Sequence, residues 1–186
     1  MRPISTHLIN SLIILLALES MIACAPIVHT NDYLLKICDS TYESCGFVNQ
    51  QGEIVIPLGK YAHCFTDTFH KYAIVTKPSM GFLAIDRQET VLYEVFPYDN
   101  GPDTPSDGLF RIRVNNKIGF ADAITGSIVI PPQYECAWPF ENGVAAVSVA
   151  CKTRSEGEHS TWISDHWFYI DKKGNKVEKP KSTPSI

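Results

Sequence analysis

A pattern of short apolar runs separated by turn residues recurs along most of the chain and constrains its fold more than any other feature. Residues 117–150 carry its fullest form: one run ends at Asp122, a turn follows at Gly126, a second run stops at Pro131, and a third begins at Gly143. Short apolar runs bounded by Gly, Pro and Asp predict strands. This segment therefore predicts three consecutive strands.

Other segments repeat this order of residues. The copies begin at Gly46, Gly81, Gly119 and Phe168. Their starts are 35, 38 and 49 residues apart, and the last copy is partial. Such a period predicts stacked units that share one core. We predict an all-β domain at 33–178, with about three and a half units of antiparallel hairpins or three-strand repeats in a single solenoid-like or partly closed, propeller-like array.

The two ends of this domain carry complementary parts of one unit. Residues 33–38 are similar to a third strand, and residues 167–177 are similar to the first two strands. We expect these halves to lie close together and to complete one unit, because exposed sheet edges invite aggregation. Simple caps at the two ends are the alternative.

The first 23 residues predict an export signal rather than part of the fold. Arg2 precedes an apolar stretch at 8–23 that is too short and too interrupted for a membrane-spanning helix. The stretch ends in Met-Ile-Ala-Cys, which resembles the lipobox of bacterial lipoproteins and makes Cys24 the predicted lipidation site. Cleavage after Ala25 and an uncleaved anchor are the alternatives.

The leader sets the expected location of the protein. We predict a lipoprotein signal peptide at 1–23, lipid attachment and a tether at 24–32, and a disordered tail at 179–186. Acyl chains such as palmitate on Cys24 would hold the protein on a membrane. The residue after the cysteine is Ala25, which by resemblance to lipoproteins favours the outer membrane where the host has one. The expected location is otherwise periplasmic or extracellular.

Five cysteines follow Cys24, and an exported protein is expected to form disulfides. Cys38 and Cys45 can close a small loop, while Cys136 and Cys151 flank the last strand of the third copy. Cys64 stays unpaired in that scheme. Because Cys64 and Cys136 occupy nearly equivalent repeat positions, these two cysteines can instead be small packing residues.

Charge and motifs exclude several classes of function. The formal net charge of −4 provides no basic surface for nucleic acid. No GxSxG, phosphate loop or paired-carboxylate motif is present, so the sequence predicts no catalytic residues, no cofactor and no enzyme activity. His63, Cys64 and His70 come nearest to a metal site, but adjacent strand residues face opposite sides, and no metal is predicted.

Two regions outside the regular pattern are candidates for binding. The residues at 152–165 form an acidic insertion that explains the longer last spacing, and Trp162 within it is the predicted exposed contact. Other aromatic residues occupy the connections between second and third strands, where repeat proteins often bind partners, although most are expected to be core. These are Phe96, Tyr98, Tyr134, Trp138 and Phe140.

The repeated segment resembles the WG repeat family, over about residues 45–177. The third copy matches best, although Ile118 replaces the family tryptophan; the fourth copy keeps that residue as Trp167, followed by Phe168 instead of glycine. The resemblance implies a β-rich interaction or envelope module. We therefore predict a lipid-anchored, non-enzymatic module of the cell envelope that binds an envelope protein or a glycan, in an oligomeric state that the sequence leaves open. An exported enzyme or metal-binding protein with a site at 152–165, or a purely structural envelope component, is the alternative.

Overall fold

The computed structural model describes residues 32–41, 44–77, 79–156 and 159–179, and every regular element in them is a β-strand. The all-β prediction is confirmed for these residues. Cys24, the leader, most of the tether and nearly all of the predicted tail lie outside them. The described part of the chain contains no helix long and apolar enough to cross a membrane. The strands are β1 Leu34–Cys38, β2 Cys45–Val48, β3 Ile54–Tyr61, β4 His63–Cys64, β5 Thr68–Phe69, β6 Tyr72–Lys77, β7 Gly81–Asp86, β8 Val91–Val95, β9 Pro97–Tyr98, β10 Gly101–Pro102, β11 Leu109–Val114, β12 Lys117–Asp122, β13 Ile128–Tyr134, β14 Cys136–Ala137, β15 Val144–Ser148, β16 Lys152–Glu156, β17 His159–Ile163, β18 Phe168–Asp171 and β19 Lys176–Val177.

Twelve of the described strands form four three-stranded antiparallel meanders. These are β1–β2–β3, β6–β7–β8, β11–β12–β13 and β15–β18–β19. Each meander takes its first strand from the end of one sequence copy and its other two strands from the start of the next copy. The structural unit is therefore one strand out of phase with the sequence repeat.

This phase difference corrects the prediction about the ends of the domain. β1 pairs with β2, and β18 pairs with β15, so each terminal segment completes a meander with its own sequence neighbour. The two segments lie in different sheets, and the described strands form no closed barrel or propeller. The complementary halves do not pair with each other because a hairpin partner is already adjacent in sequence.

The middle of the domain is one continuous sheet. β8 of the second meander pairs with β11 of the third, which gives a seven-stranded sheet in the order β13-β12-β11-β8-β7-β6-β4. The first meander gains β5 at one edge, and the fourth gains β14. The β16–β17 hairpin, which corresponds to the acidic insertion, pairs only with itself among the described strands.

A side-chain carboxylate or amide shapes the turn between the last two strands of every meander. The Oδ1 atom of Asn49 accepts hydrogen bonds from the backbone N–H groups two and four residues ahead, at 3.0 and 2.9 Å. Asp86 and Asp171 do the same at 2.8–2.9 Å. Asp122 accepts from the N–H groups two and three residues ahead, in a turn that is one residue longer than that after Asn49. The polar residue at each strand end thus specifies the hairpin.

In the first and third copies, the residue three positions before this turn residue is a glycine. The backbone of the next strand crosses directly over it. A Cβ atom on Gly119 would lie 2.5 Å from the carbonyl oxygen of Ile130, and one on Gly46 would collide with the carbonyl oxygen of Ile56. Leu83 occupies the equivalent place in the second copy, and it pairs directly with Glu94. The alignment of that copy from Gly81 is therefore wrong by two residues.

The described residues form two disulfides, and one of them corrects a predicted pairing. Cys136 bonds to Cys151, as expected from their places beside the last strand of the third copy, but Cys45 bonds to Cys64, and Cys38 is free. The side chain of Cys45 is buried in the core of the first meander, and Cys64 belongs to the same core cluster. Cys38, directly opposite Cys45 in the ladder, is only partly buried.

Candidate functional site

All three tryptophans of the chain line one open cavity of about 760 Å³. The cavity lies where the end of the third copy, the β16–β17 hairpin and the start of the fourth copy meet. Its volume is within the range of about 300–1,000 Å³ that is typical of small-molecule sites. Tyr169 and Phe140 complete its aromatic lining.

Three different elements position the tryptophans. Trp138 follows β14, and its backbone N–H donates to the carbonyl oxygen of Ala146 on β15 at 2.9 Å. Trp162 lies on β17 of the hairpin, opposite Thr153. Trp167 immediately precedes β18, at the repeat position that Ile118 occupies in the third copy. Their convergence therefore depends on the inserted hairpin as well as on the repeats.

Trp162 is at the centre of the aromatic contacts. Its ring packs edge-to-face against Trp138 at 5.4 Å between centroids and against Phe96 at 5.7 Å. It is half-buried rather than fully exposed, because it packs against the core cluster that contains Phe96. The structure places it in the wall of the cavity, and its role as a contact residue stays a prediction.

A second cavity of about 460 Å³ shares Trp138 and Trp162 with the first. Tyr98, Phe96 and Arg111 contribute to its lining. Tyr98 is 56% exposed, so this member of the predicted aromatic face is accessible, whereas Tyr134 and Phe140 are buried core residues. The two cavities together form an aromatic surface, and the Trp138–Trp162 pair is their common wall.

Arg111, which contributes to the lining of the second cavity, forms a buried ion pair with Asp103. Its Nη2 atom lies 2.5 Å from Asp103 Oδ1, its Nη1 donates to the carbonyl oxygen of Ala137 at 3.2 Å, and the guanidinium lies 4.4 Å from the Phe96 ring centroid. Asp103 thus neutralises the Arg111 charge within the protein, and the guanidinium packs against the Phe96 ring in the lining of the second cavity.

Six polar side-chain groups in the lining of the larger cavity have no hydrogen-bond partner among the described residues. The Trp138 Nε1 atom is buried without a hydrogen bond, although most buried polar groups are paired. The Glu141 carboxylate and the Thr161 hydroxyl are exposed, and neither makes a side-chain hydrogen bond to the described residues. The indole N–H groups of Trp162 and Trp167 and the Tyr169 hydroxyl also lack a partner, so the lining residues carry indole donors, a carboxylate acceptor, and hydroxyl groups that can both donate and accept.

The two largest pKa shifts lie away from this cavity, at junctions between repeats. Burial raises the pKa of Tyr93, and nearby Tyr72 and Asp122 add to the effect; the Tyr93 hydroxyl donates to the carbonyl oxygen of Gly126 at 2.6 Å. Burial also raises the pKa of Tyr61, whose hydroxyl donates to Glu89. These groups join one repeat to the next, and their shifted pKa values reflect packing rather than an acid–base site.

No group of three or more His, Cys, Asp or Glu residues suited to a metal ion is found in the described part of the chain. Cys64 forms a disulfide with Cys45, and His63 is exposed. Glu158 and the side chains of Glu156 and His159, which belong to the acidic insertion, lie outside the described residues.

The sequence indicated individual residues of the site but not that they line one cavity. Trp138 and Trp162 were separate candidates, and Trp167 was only the residue kept from a repeat motif. A signal was available, because the three tryptophans lie within 30 residues of one another and the rest of the chain has none. The unpartnered Trp138 N–H has no sequence signature.

Two segments of the chain match a family model described as WG containing repeat, at residues 46–77 and 118–150. They correspond to the first and third copies, which both carry the glycine beneath the crossing strand. No curated protein and no solved structure matches the chain. The chain therefore contains WG repeats at two places, and the second of them contributes part of the lining of the tryptophan-lined cavity.

Proposed function

We propose that this protein is an exported, non-enzymatic β-repeat module that binds its ligand in the tryptophan-lined cavity. The observation that carries the proposal is the convergence of all three tryptophans on one open cavity of about 760 Å³. Aromatic rings provide large contact areas with little loss of conformational entropy, and they are enriched where proteins bind partners. The repeats act as the rigid support for this surface.

Export and attachment to the cell envelope through lipid on Cys24 form the second part of the proposal. The lipobox-like sequence at 21–24 is its main support. Two disulfides within the fold add to it, because disulfides form and persist mainly in oxidising compartments. Within this proposal, Ala25 at the position after Cys24 favours an outer-membrane location.

Ligand binding is tested by calorimetric titration of the mature protein with three classes of probe. The probes are neutral hexasaccharides (cellohexaose, maltohexaose and chitohexaose), decaproline and tetramethylammonium. We expect one class to bind wild type and to bind Trp162→Ala at least about thirtyfold more weakly, as for a central contact residue. Phe65→Ala, which removes an exposed aromatic ring elsewhere, is the matched control and should bind normally. Failure of all three classes to bind would overturn the proposal of a ligand cavity.

Lipid attachment is tested by growing expressing cells with radiolabelled palmitate. Wild type should incorporate label, and Cys24→Ala should not. Cys38→Ala is the matched control, because it removes a free cysteine of the folded domain, and it should label like wild type. An unlabelled wild-type protein would rule out the lipid anchor without affecting the cavity.

A further inference from the structure

The polar groups and charges of the cavity restrict the chemistry of its ligand. Glu141 is the one charged side chain in the lining of the larger cavity, and it is negative. Arg111 in the smaller cavity is already paired with Asp103. An anionic ligand would therefore meet a carboxylate and no free cation in either cavity, which disfavours phosphate and carboxylate groups.

The unpartnered groups distinguish among neutral and cationic ligands. The indole N–H groups need acceptors, the Glu141 carboxylate accepts from a donor, and the Thr161 and Tyr169 hydroxyls serve either role. A proline-rich peptide supplies acceptors but almost no donors, and an ammonium group supplies no acceptor. Hydroxyl groups both donate and accept, so a polyhydroxylated ligand can satisfy every one of these groups.

The aromatic walls fit the same class of ligand. The faces of Trp and Tyr rings carry partial negative charge, and they attract the weakly positive C–H groups on the face of a sugar ring. The second cavity shares the Trp138–Trp162 pair with the first. A ligand that uses both cavities must extend past this pair, so it is longer than a single sugar ring.

From this arrangement we infer that the ligand is an uncharged oligosaccharide, which occupies both cavities and packs its sugar rings against the shared tryptophan wall. The inference rests on the proposed function and specifies its ligand class. An acceptor reaches the enclosed Trp138 N–H only when the surrounding rings move slightly. The new hydrogen bond then satisfies a buried donor that has no partner in the free protein.

The titrations described above separate this inference from the proposed function. We expect at least one of the three hexasaccharides to bind, and decaproline and tetramethylammonium not to bind. The matching monosaccharide should bind at least about tenfold more weakly, because one ring leaves the second cavity empty. If decaproline or tetramethylammonium binds and no hexasaccharide does, the inference is overturned while the ligand cavity stands. If nothing binds, both fail.

Two variants test the polar contacts without removing a ring face. Trp138→Phe keeps an aromatic ring but deletes the N–H, and it should weaken hexasaccharide binding about five- to tenfold. Thr161→Val deletes an exposed hydroxyl and should weaken binding about threefold while leaving the melting temperature near that of wild type. Unchanged hexasaccharide affinity in both variants, or equal affinity for the monosaccharide, would overturn the inference.

Discussion

At the scale of single residues, two glycines decide where a strand can cross. The strand after Gly46 or Gly119 passes so close that any side chain would meet backbone atoms rather than a movable side chain. This requirement explains why glycine recurs in the two segments that match the family model. It also explains the different pairing of the second copy, where Leu83 leaves no room for such a crossing.

Gly119→Ala tests this close approach. A Cβ atom would lie 2.5 Å from the Ile130 carbonyl oxygen and 2.6 Å from the Pro132 nitrogen, so the backbone must shift. We expect the free energy of unfolding to fall by about 2–4 kcal/mol, measured by urea denaturation. Gly101→Ala is the control, because its Cβ would meet nothing within 4 Å, and it should change stability by less than about 0.5 kcal/mol. Equal effects at both positions would contradict the explanation.

Glu89 combines an unfavourable backbone conformation with favourable side-chain hydrogen bonds. It has a positive φ of 62° at a turn position where the first and fourth copies have glycine, which costs a non-glycine residue about 1 kcal/mol. Its carboxylate accepts from Lys60 Nζ at 2.6 Å and from the Tyr61 hydroxyl at 2.8 Å. Burial opposes ionisation, but these hydrogen bonds and the positive charges of Lys60 and Lys77 lower the pKa of Glu89.

The lowered pKa of Glu89 predicts a pH-dependent contribution to stability. A carboxyl group with a lowered pKa in the folded state stabilises the protein above its unfolded pKa, near 4.5, and this stabilisation is lost as the pH falls through the lowered pKa. Glu89→Gln should therefore be about 1 kcal/mol less stable than wild type at pH 7. This difference should shrink below about pH 4. Urea denaturation across pH 3–7 measures it, and a pH-independent difference would contradict the assignment to the charge.

At the scale of elements, a disulfide replaces an apolar contact between equivalent positions of two copies. Cys45 and Cys64 occupy the places that Ile118 and Ala137 occupy in the third copy. Each pair belongs to the core cluster of its own meander. The same packing site is thus stabilised covalently in one copy and by apolar burial in the other.

Replacing the disulfide with the apolar pair of the third copy tests whether the two sites are equivalent in packing. Cys45→Ala with Cys64→Ala should lose about 3 kcal/mol from the missing cross-link, and more from the cavity at position 45. Cys45→Ile with Cys64→Ala restores the pair of the third copy and should recover about 2 kcal/mol of that loss. Urea midpoints of the two variants provide the comparison. Equal midpoints would show that the two positions are not equivalent in packing.

At the scale of the whole domain, strands and an ion pair connect neighbouring copies. The out-of-phase meanders join each copy to the next through a hairpin, and β8–β11 pairing joins the second meander to the third. The Arg111–Asp103 pair, with both side chains nearly inaccessible, adds a hydrogen bond to the carbonyl oxygen of Ala137 in the third copy. Stability is therefore expected to be shared across these copies.

Asp103→Asn tests this connection. The change leaves the buried Arg111 guanidinium without its counter-charge and should cost about 3–5 kcal/mol of unfolding free energy. The double variant Arg111→Met with Asp103→Leu removes both charges and should recover most of this loss. Thermal and urea denaturation supply the measurement. A double variant no more stable than Asp103→Asn would show that the charge pair itself is not the main contribution.

Local patterns predicted much of the fold. Apolar runs, turn residues and their spacing predicted the strands of the first, third and fourth copies, as well as the all-β class. The second copy was misaligned because Gly81 also precedes a phenylalanine; its φ of +72° belongs to a turn. Arg111 in strand β11 is 1% exposed, a burial that strand alternation alone does not predict.

What the sequence determined by itself is the set of properties that depend on neighbours along the chain: the strands, the residues that shape their turns, and the repeat. The tertiary structure decided which distant groups meet. It paired Cys45 with Cys64 because both belong to one core, placed the two terminal segments in different sheets because each pairs with a nearer partner, and brought three tryptophans together around the inserted hairpin. Residues of the 152–165 insertion help to line the cavity, and this cavity exists only through these long-range contacts.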